Sequence, residues 1–408
     1  MNSSNNPTKQ SKFWGISETK YLPPEIWTQI FEKLPTKTLI KSICVCKSWC
    51  SIINHPDFVN MHFRRCNNNS EDNKNPKLLV ALEGLGLYNN VGCSLTVRKA
   101  ETLQKTCRIF KRHDSYSYRI IGSCNGLLLV SRNDGPPCYR EELRLWNPCI
   151  RKSLVIPACP FSTSLFTNSV YVFGFAPISK DYKVVAFAFE KSPEIEPRKM
   201  FFAVYTLRDQ QWSVRNNQFD IILPNTTGTF GPFHSVSTAV SFRGAAYWLG
   251  QIDNQNQENR LTHLGSFDFE SENITFLKLP FTLEETQYLR FLFLLGGSLA
   301  VFSISEVNSS IWVLEQANVN RPWSLWFTGK SSWYGYKAFT NCICKHRKVF
   351  YCESDGGYFV CGEEAYNIAS CEMQELQRYM RFDGQLETYS ESLVLSAGYG
   401  ARDLKFFP

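Results

Sequence analysis

The chain lacks any run of about 18 apolar residues, so no helix of membrane-spanning length is expected. Met1 to Gln10 is polar and has no apolar signal core, which places the expected location inside the cell, in the cytoplasm and/or the nucleus. Catalytic signatures are missing too: there is no Gly-x-Ser-x-Gly elbow, Walker loop, dinucleotide fingerprint or His-Glu-x-x-His pair. The six histidines (55, 62, 113, 234, 263 and 346) accompany no nucleophile motif. The densest soft-ligand group, Cys342, Cys344 and His346, has no fourth ligand at finger-like spacing, so neither a metal nor a cofactor is expected and the chain reads as non-catalytic.

Charge of one sign is scarce over most of the length. The net charge is +7, but residues 1 to 66 hold nine Lys/Arg against four Asp/Glu, leaving only +2 for the remainder. A nearly neutral large region lacks the footprint of a nucleic-acid binder, whereas the basic N-terminal segment suits an acidic partner.

What is present points to a folded, mainly β protein. Of 408 residues, 43% are hydrophobic and 14% aromatic, enough to bury a full core in one small and one large domain. Asn-rich turns between short apolar runs favour strands. In an intracellular chain of this size the 15 cysteines read as reduced small hydrophobes, and the sequons at Asn225 and Asn273 carry no sugar.

The N-terminal segment breaks this β pattern. Leu22-Pro23-Pro24-Glu25-Ile26 puts proline in the first turn of a helix, where its missing N–H costs nothing. Ile26, Ile30, Phe31 and Leu34 then read as one apolar stripe, which Pro35 ends. Thr36 is the expected cap of a second helix carrying Leu39, Ile40 and Ile43; Cys46, Trp49, Cys50 and Ile53 form a third stripe, and His55-Pro56 closes the module. Three helices within some 35 residues are too few to cover their own apolar faces, so something else must.

Leu22-Pro23, Ile26, Ile30, Leu34-Pro35, Leu39, Val45-Cys46-Lys47-Ser48-Trp49, Ile52-Ile53 and Pro56-Asp57-Phe58 together resemble the F-box motif. The resemblance implies docking to the acidic Skp-family linker protein, which holds the cullin and its RING partner. Leu22, Pro23, Ile26, Ile30, Leu34, Pro35, Leu39, Val45 and Trp49 would form or support that interface. Lys41 stands where many relatives carry Arg, keeping charge without bidentate hydrogen bonding. The expected division is a tail over 1–19, the F-box over 20–63, a polar linker over 64–77 and the large domain over 78–408.

In the large region, tight turns at Asn125-Gly126, Lys180-Asp181, Arg243-Gly244, Gly296-Gly297 and His346-Arg347 follow one another at intervals of 55, 63, 53 and 50 residues. That spacing resembles kelch-type propeller blades of about 50 residues and four strands each. Residues 237–242, 245–250, 263–269 and 274–279 give the fullest blade. Three strands near residues 78 to 111 lack an innermost partner, which Ser392–Ser396 is expected to supply, closing about six blades, with seven as the alternative.

Asn125-Gly126-Leu127-Leu128, Leu145-Trp146-Asn147-Pro148, Phe173-Gly174-Phe175, Lys180-Asp181-Tyr182-Lys183-Val184 and Tyr389-Ser390-Glu391-Ser392-Leu393 also resemble the F-box-associated domain of plant F-box proteins. The resemblance implies the substrate-recognition subunit of a Skp-cullin-F-box ubiquitin ligase, with a protein substrate it does not identify. The loops after each second strand form the candidate substrate face, with Arg132, Asp134, Tyr139, Arg140, Glu194, Arg198, Asp253 and Glu258 as candidate contacts. Competing expectations are a propeller enzyme, which would need paired acids or a metal in a central funnel, and a lectin-like scaffold acting without a ligase. Neither accounts for the N-terminal stripes.

Overall fold

The computed structural model describes residues 22–68, 78–84, 93–99, 105–112, 117–133, 141–162, 170–189, 199–220, 239–250, 263–280, 287–295, 298–305, 308–315, 322–330, 339–345, 348–353, 358–361, 384–395 and 402–403. Contacts divide the chain into two units, Met1–His62 and Phe63–Pro408.

Four helices open the chain: Pro24–Glu32 (α1), Thr36–Ser42 (α2), Lys47–Asn54 (α3) and Pro56–Asn68 (α4). Pro24 occupies the first position of α1, as its fixed φ and missing donor allow. Thr36 is not the cap of α2; that position falls to Pro35, and Thr36 is buried as the first helical residue. Pro56 does not close the module. It opens α4 just as Pro24 opens α1, and the helix runs into the stretch read as linker. Among the described residues no helix is long and apolar enough to cross a membrane.

The strands follow in chain order. Leu78–Gly84 (β1), Cys93–Lys99 (β2) and Lys105–Arg112 (β3) come first, then Ser117–Cys124 (β4), Leu127–Asn133 (β5), Glu141–Asn147 (β6) and Lys152–Val155 (β7). Val170–Ala176 (β8), Asp181–Phe189 (β9), Lys199–Thr206 (β10) and Gln211–Asp220 (β11) form one sheet; Val240–Phe242 (β12), Ala245–Gly250 (β13), His263–Asp268 (β14) and Ile274–Lys278 (β15) form the next. Gln287–Leu295 (β16), Ser298–Ser305 (β17), Asn308–Leu314 (β18) and Trp323–Lys330 (β19) make a further four-stranded sheet. Phe339–Lys345 (β20), Lys348–Glu353 (β21) and Tyr358–Cys361 (β22) make a three-stranded one. Gly384–Tyr389 (β23) and Arg402–Asp403 (β24) complete the described strands.

Among the described strands every pairing is antiparallel, and all but two, made by the C-terminal segment, join neighbours in sequence. β23 pairs with β1, Leu78 opposite Tyr389, to give the order β23-β1-β2-β3, and β24 adds to β7 at the outer edge of the sheet β24-β7-β6-β5-β4. The innermost strands β23, β4, β8, β12, β16 and β20 contact one another in that order, and β20 returns to β23. The β domain is therefore a propeller-like cycle of six sheets among the described residues. Such a closure leaves no open sheet face at the join.

The core lies between adjacent sheets. Phe187, Phe202, Trp248, Phe267 and Phe269 fill the space between β8–β11 and β12–β15. Leu249, Leu264, Leu299 and Val301 fill the next gap, and Leu95, Leu128, Val130, Trp146 and Tyr389 the gap behind the closing strand. Gly174 on β8 is required by this packing, since a Cβ there would lie 2.0 Å from the Phe269 ring. The hairpin turns at Asn125-Gly126 and Arg243-Gly244 have positive φ at both residues (49° and 79°, 49° and 81°), the geometry that matches strand twist. The turn placed at Lys180-Asp181 is longer: residues 177–180 form it, with φ +53° at Lys180, and Asp181 already belongs to β9.

Ser392–Ser396 was expected as the closing strand, but β23 has that place and residues 391–395 form no strand. Leu393, Val394 and Leu395 are buried in a turn, with φ +70° at Leu395. Their apolar character serves a plug, which local pattern cannot distinguish from a buried strand.

Candidate docking site on the helical unit

The helical unit has a small core of its own. Phe31, Leu39, Ile53, Phe58 and His62 are all at least 96% covered. On α1, Trp27 and Phe31 sit four residues apart and turn inward, with ring centroids 5.5 Å apart. Trp49 of α3 completes the group, 4.6 Å from Trp27 and 5.0 Å edge-on to Phe31, geometries favoured by aromatic quadrupoles. From α4, His62 Nε2–H donates to the carbonyl of Leu34 at 2.8 Å, fixing the turn between α1 and α2, while Phe58 stacks on the imidazole. Neither Trp27 nor this histidine was singled out from the sequence. The i, i+4 pairs Trp27/Phe31 and Phe58/His62 were the available signals.

The stripe Ile26, Ile30, Phe31 and Leu34 is split. Successive helical residues are about 100° apart, so Phe31 follows Trp27 into the core while Ile26 and Ile30 share an outward face. Both are 38% exposed, Leu22 is 43% and Val45 63%. Covering what remains exposed would stabilise a complex by about 1 kcal/mol for each such side chain. Pro23 and Pro35 are exposed, and Leu34 and Trp49 half-buried. Leu39 is fully buried, so it cannot be touched from outside. Lys33, Lys41 and Lys47 are exposed on the same unit and give it the basic character expected to suit an acidic partner.

The third stripe is also redistributed. Cys46 caps α3, its sulfur accepting the Trp49 N–H at 3.5 Å, and the Cys50 sulfur accepts from Asn54 Nδ2 at 3.2 Å. Together with Ile43, Cys44, Lys47 and His55, these cysteines line an open groove of about 680 Å3.

Most of the candidate substrate contacts, namely Asp134, Tyr139, Arg140, Glu194, Arg198, Asp253 and Glu258, lie outside the described residues. Arg132 is described and is not on a loop. β5 extends to Asn133 and β6 begins at Glu141, so Arg132 stands opposite Glu142 inside the ladder, partly buried. Glu142 accepts from Arg144 Nε, and these charges belong to the sheet surface.

Three of the sequence fragments noted above converge on the closing turn. Asn147, fully buried at the end of β6, donates from Nδ2 to the Val394 carbonyl (2.7 Å), the Ser392 carbonyl (3.0 Å) and Ser392 Oγ (3.2 Å), and its Oδ1 accepts the Cys149 N–H. Gly126 lies so close beneath that a Cβ would meet the Ser390 carbonyl at 2.4 Å. Asn125-Gly126, Trp146-Asn147 and Ser390-Glu391-Ser392 are thus parts of one clamp. A second tie joins two sheets: Glu272, after β14, receives Lys183 Nζ at 2.8 Å and Arg215 Nε at 2.6 Å. Beside it, Glu270 accepts the N–H groups of Ser179 and Ile178, which hold its carboxyl below the ordinary glutamate value.

A helical unit with an exposed apolar face, followed by a six-sheet propeller-like domain, has the build of a binding adaptor. The F-box domain description matches residues 21–60, and the F-box associated beta propeller domain matches residues 78–395. The chain belongs to the plant F-box proteins that carry this propeller domain. One Arabidopsis thaliana protein named for its F-box is 27% identical over 329 residues, spanning 78% of this chain and 70% of its own. Another is 31% identical over 167 residues, 40% of this chain and 36% of its own. A third from the same plant, named an F-box/kelch-repeat protein, is 27% identical over 195 residues, 47% of this chain and 50% of its own. An F-box implies binding to a Skp1-like protein, and proteins of this kind are adaptors in general.

Proposed function

We propose that this chain is the substrate-recognition subunit of a Skp-cullin-F-box ubiquitin ligase. Residues 20–63 dock the acidic Skp-family linker, and residues 78–408 present a protein substrate. Ubiquitin transfer itself belongs to the cullin-bound RING and its conjugating enzyme. The contribution of this chain is proximity, which raises the effective concentration of a substrate lysine at the charged enzyme.

The observation that carries the reading is the exposed set Leu22, Ile26, Ile30 and Val45 on a helical unit that already has a packed core of its own. Apolar side chains left partly exposed in this way support the reading of an interaction surface. Leu22, Pro23, Ile26, Ile30, Leu34, Pro35, Val45 and Trp49 form the proposed contact, with Leu39 behind it. Ile26→Asp combined with Val45→Asp tests this without touching the Trp27–Phe31–Trp49 group. Affinity of the full chain for a recombinant Skp-family linker is expected to fall on the order of 100-fold, equivalent to about 3 kcal/mol, with an unaltered circular dichroism spectrum. Unchanged affinity would refute the docking assignment. Substrate binding is assigned to the propeller domain, and proximity labelling with and without a proteasome inhibitor is expected to return proteins that accumulate only under inhibition.

A further inference from the structure

The turn from α2 into α3 reads Ile43-Cys44-Val45-Cys46, and three of its features coincide. Cys44 and Cys46 are both exposed. They flank Val45, the most exposed large apolar side chain among the described residues of the helical unit. Both line the open groove that also holds Cys50, Lys47 and His55. Three other described thiols are less accessible: Cys159 is buried, burial pushes the Cys124 thiol up to about 12, and burial also pushes up the half-covered Cys66. Reactivity toward disulfides follows access and thiolate content, so Cys44 and Cys46 should react ahead of these three.

We propose that Cys44 and Cys46 form a thiol-modification site that takes a small anionic disulfide of the oxidised-glutathione class, and that the adduct blocks the docking surface. The cysteine sulfur, as thiolate, attacks one sulfur of the small disulfide; a new S–S bond forms, the old one breaks, and the departing thiolate takes up the proton. The cysteine is oxidised to a mixed disulfide and the reagent is reduced to one free thiol. Lys47 and His55 place cationic or ionisable nitrogen at the groove to receive the carboxylates of the adduct. The attached peptide then stands beside Val45 and prevents a partner from covering it. This consequence rests on the docking assignment above, and by linkage a bound partner must protect the same thiols.

The test incubates the full chain with oxidised glutathione, maps adducts by peptide mass, and measures affinity for the Skp-family linker before treatment, after it, and after reduction with dithiothreitol. Adducts are expected at Cys44 or Cys46 ahead of Cys50, with at least a tenfold loss of affinity that reduction restores; preformed complex should resist modification. Cys44→Ser combined with Cys46→Ser keeps a capping acceptor at α3 and is expected to bind the linker normally with or without the reagent. Absence of an adduct at both positions, or an adduct that leaves affinity unchanged, overturns the inference. If untreated protein fails to bind the linker, the blocking role falls together with the docking assignment, while the mapping still decides whether the modification site exists.

Discussion

In the helical unit Leu22, Ile26, Ile30 and Val45 stay between 38% and 63% exposed, whereas in the β domain Phe187, Phe202, Phe267 and Phe269 are at most 1% exposed between two sheets. The difference follows from size and neighbours. A unit of some 40 residues has little interior to offer and leaves apolar surface for a partner. These four rings lie where the sheet β8–β11 meets β12–β15 and are covered within the chain, while on β19 Trp326 stays 43% exposed. Substitutions in the two regions should accordingly act on different observables, stability in one and association in the other.

The largest effect is expected from Phe267→Ala, which removes a ring that meets Phe187 edge-on at 6.2 Å and Phe202 at 5.9 Å. Cavity formation there should cost about 3–5 kcal/mol, read as a lowered urea midpoint, with linker affinity at a permissive temperature unchanged. Asn147→Ala should come next. It leaves the Ser392 and Val394 carbonyls without their donor, at a cost of about 2–3 kcal/mol, and should speed proteolytic cleavage near residue 392. A wild-type cleavage rate in that variant would show that the clamp does not hold the C-terminal turn. By contrast, Ile26→Asp with Val45→Asp should move the unfolding midpoint little, because exposed positions away from special features rarely exceed about 0.5 kcal/mol each.

The smallest effect belongs to Glu270. Donation chiefly from Ser179 N–H, and also from Ile178 N–H, depresses its folded pKa below the ordinary 4.5. The associated stability is complete above that value and is lost as pH falls through the lower folded pKa. Thermal unfolding of Glu270→Gln should therefore decline less steeply with acidification below 4.5 than that of the wild type. Parallel curves for the two proteins would show that the turn at 177–180 does not depend on the carboxylate.

Features determined by neighbouring residues were readable from sequence. Asn125-Gly126 and Arg243-Gly244 announced hairpins because positive φ is a local demand, and the four strands around residues 240–278 followed from alternation between such turns. The helical unit was legible for the same reason, though Pro56 was read as an end when it begins α4. What failed depended on distant partners. Nothing around Gly384–Tyr389 announces a strand that pairs with Leu78, and Leu393-Val394-Leu395 imitates one while being held in a turn by Asn147, some 245 residues earlier. Arg132 reads as a loop charge until β6 supplies Glu142 across from it. For the candidate substrate contacts sequence offers little discrimination, since polar loop residues look alike whether they bind or only meet water.

Pairing β1 with β23 also imposes a schedule on synthesis. The first sheet to leave the ribosome has no inner neighbour until some three hundred further residues have been translated, so β1 waits with its hydrogen-bonding edge bare while the intermediate sheets assemble. Final closure then depends on a contact of very high sequence separation, which makes it a late and slow event. A nascent chain cut short before residue 384 would carry a finished helical unit, able to engage its partner, on a propeller that has nothing to shut it.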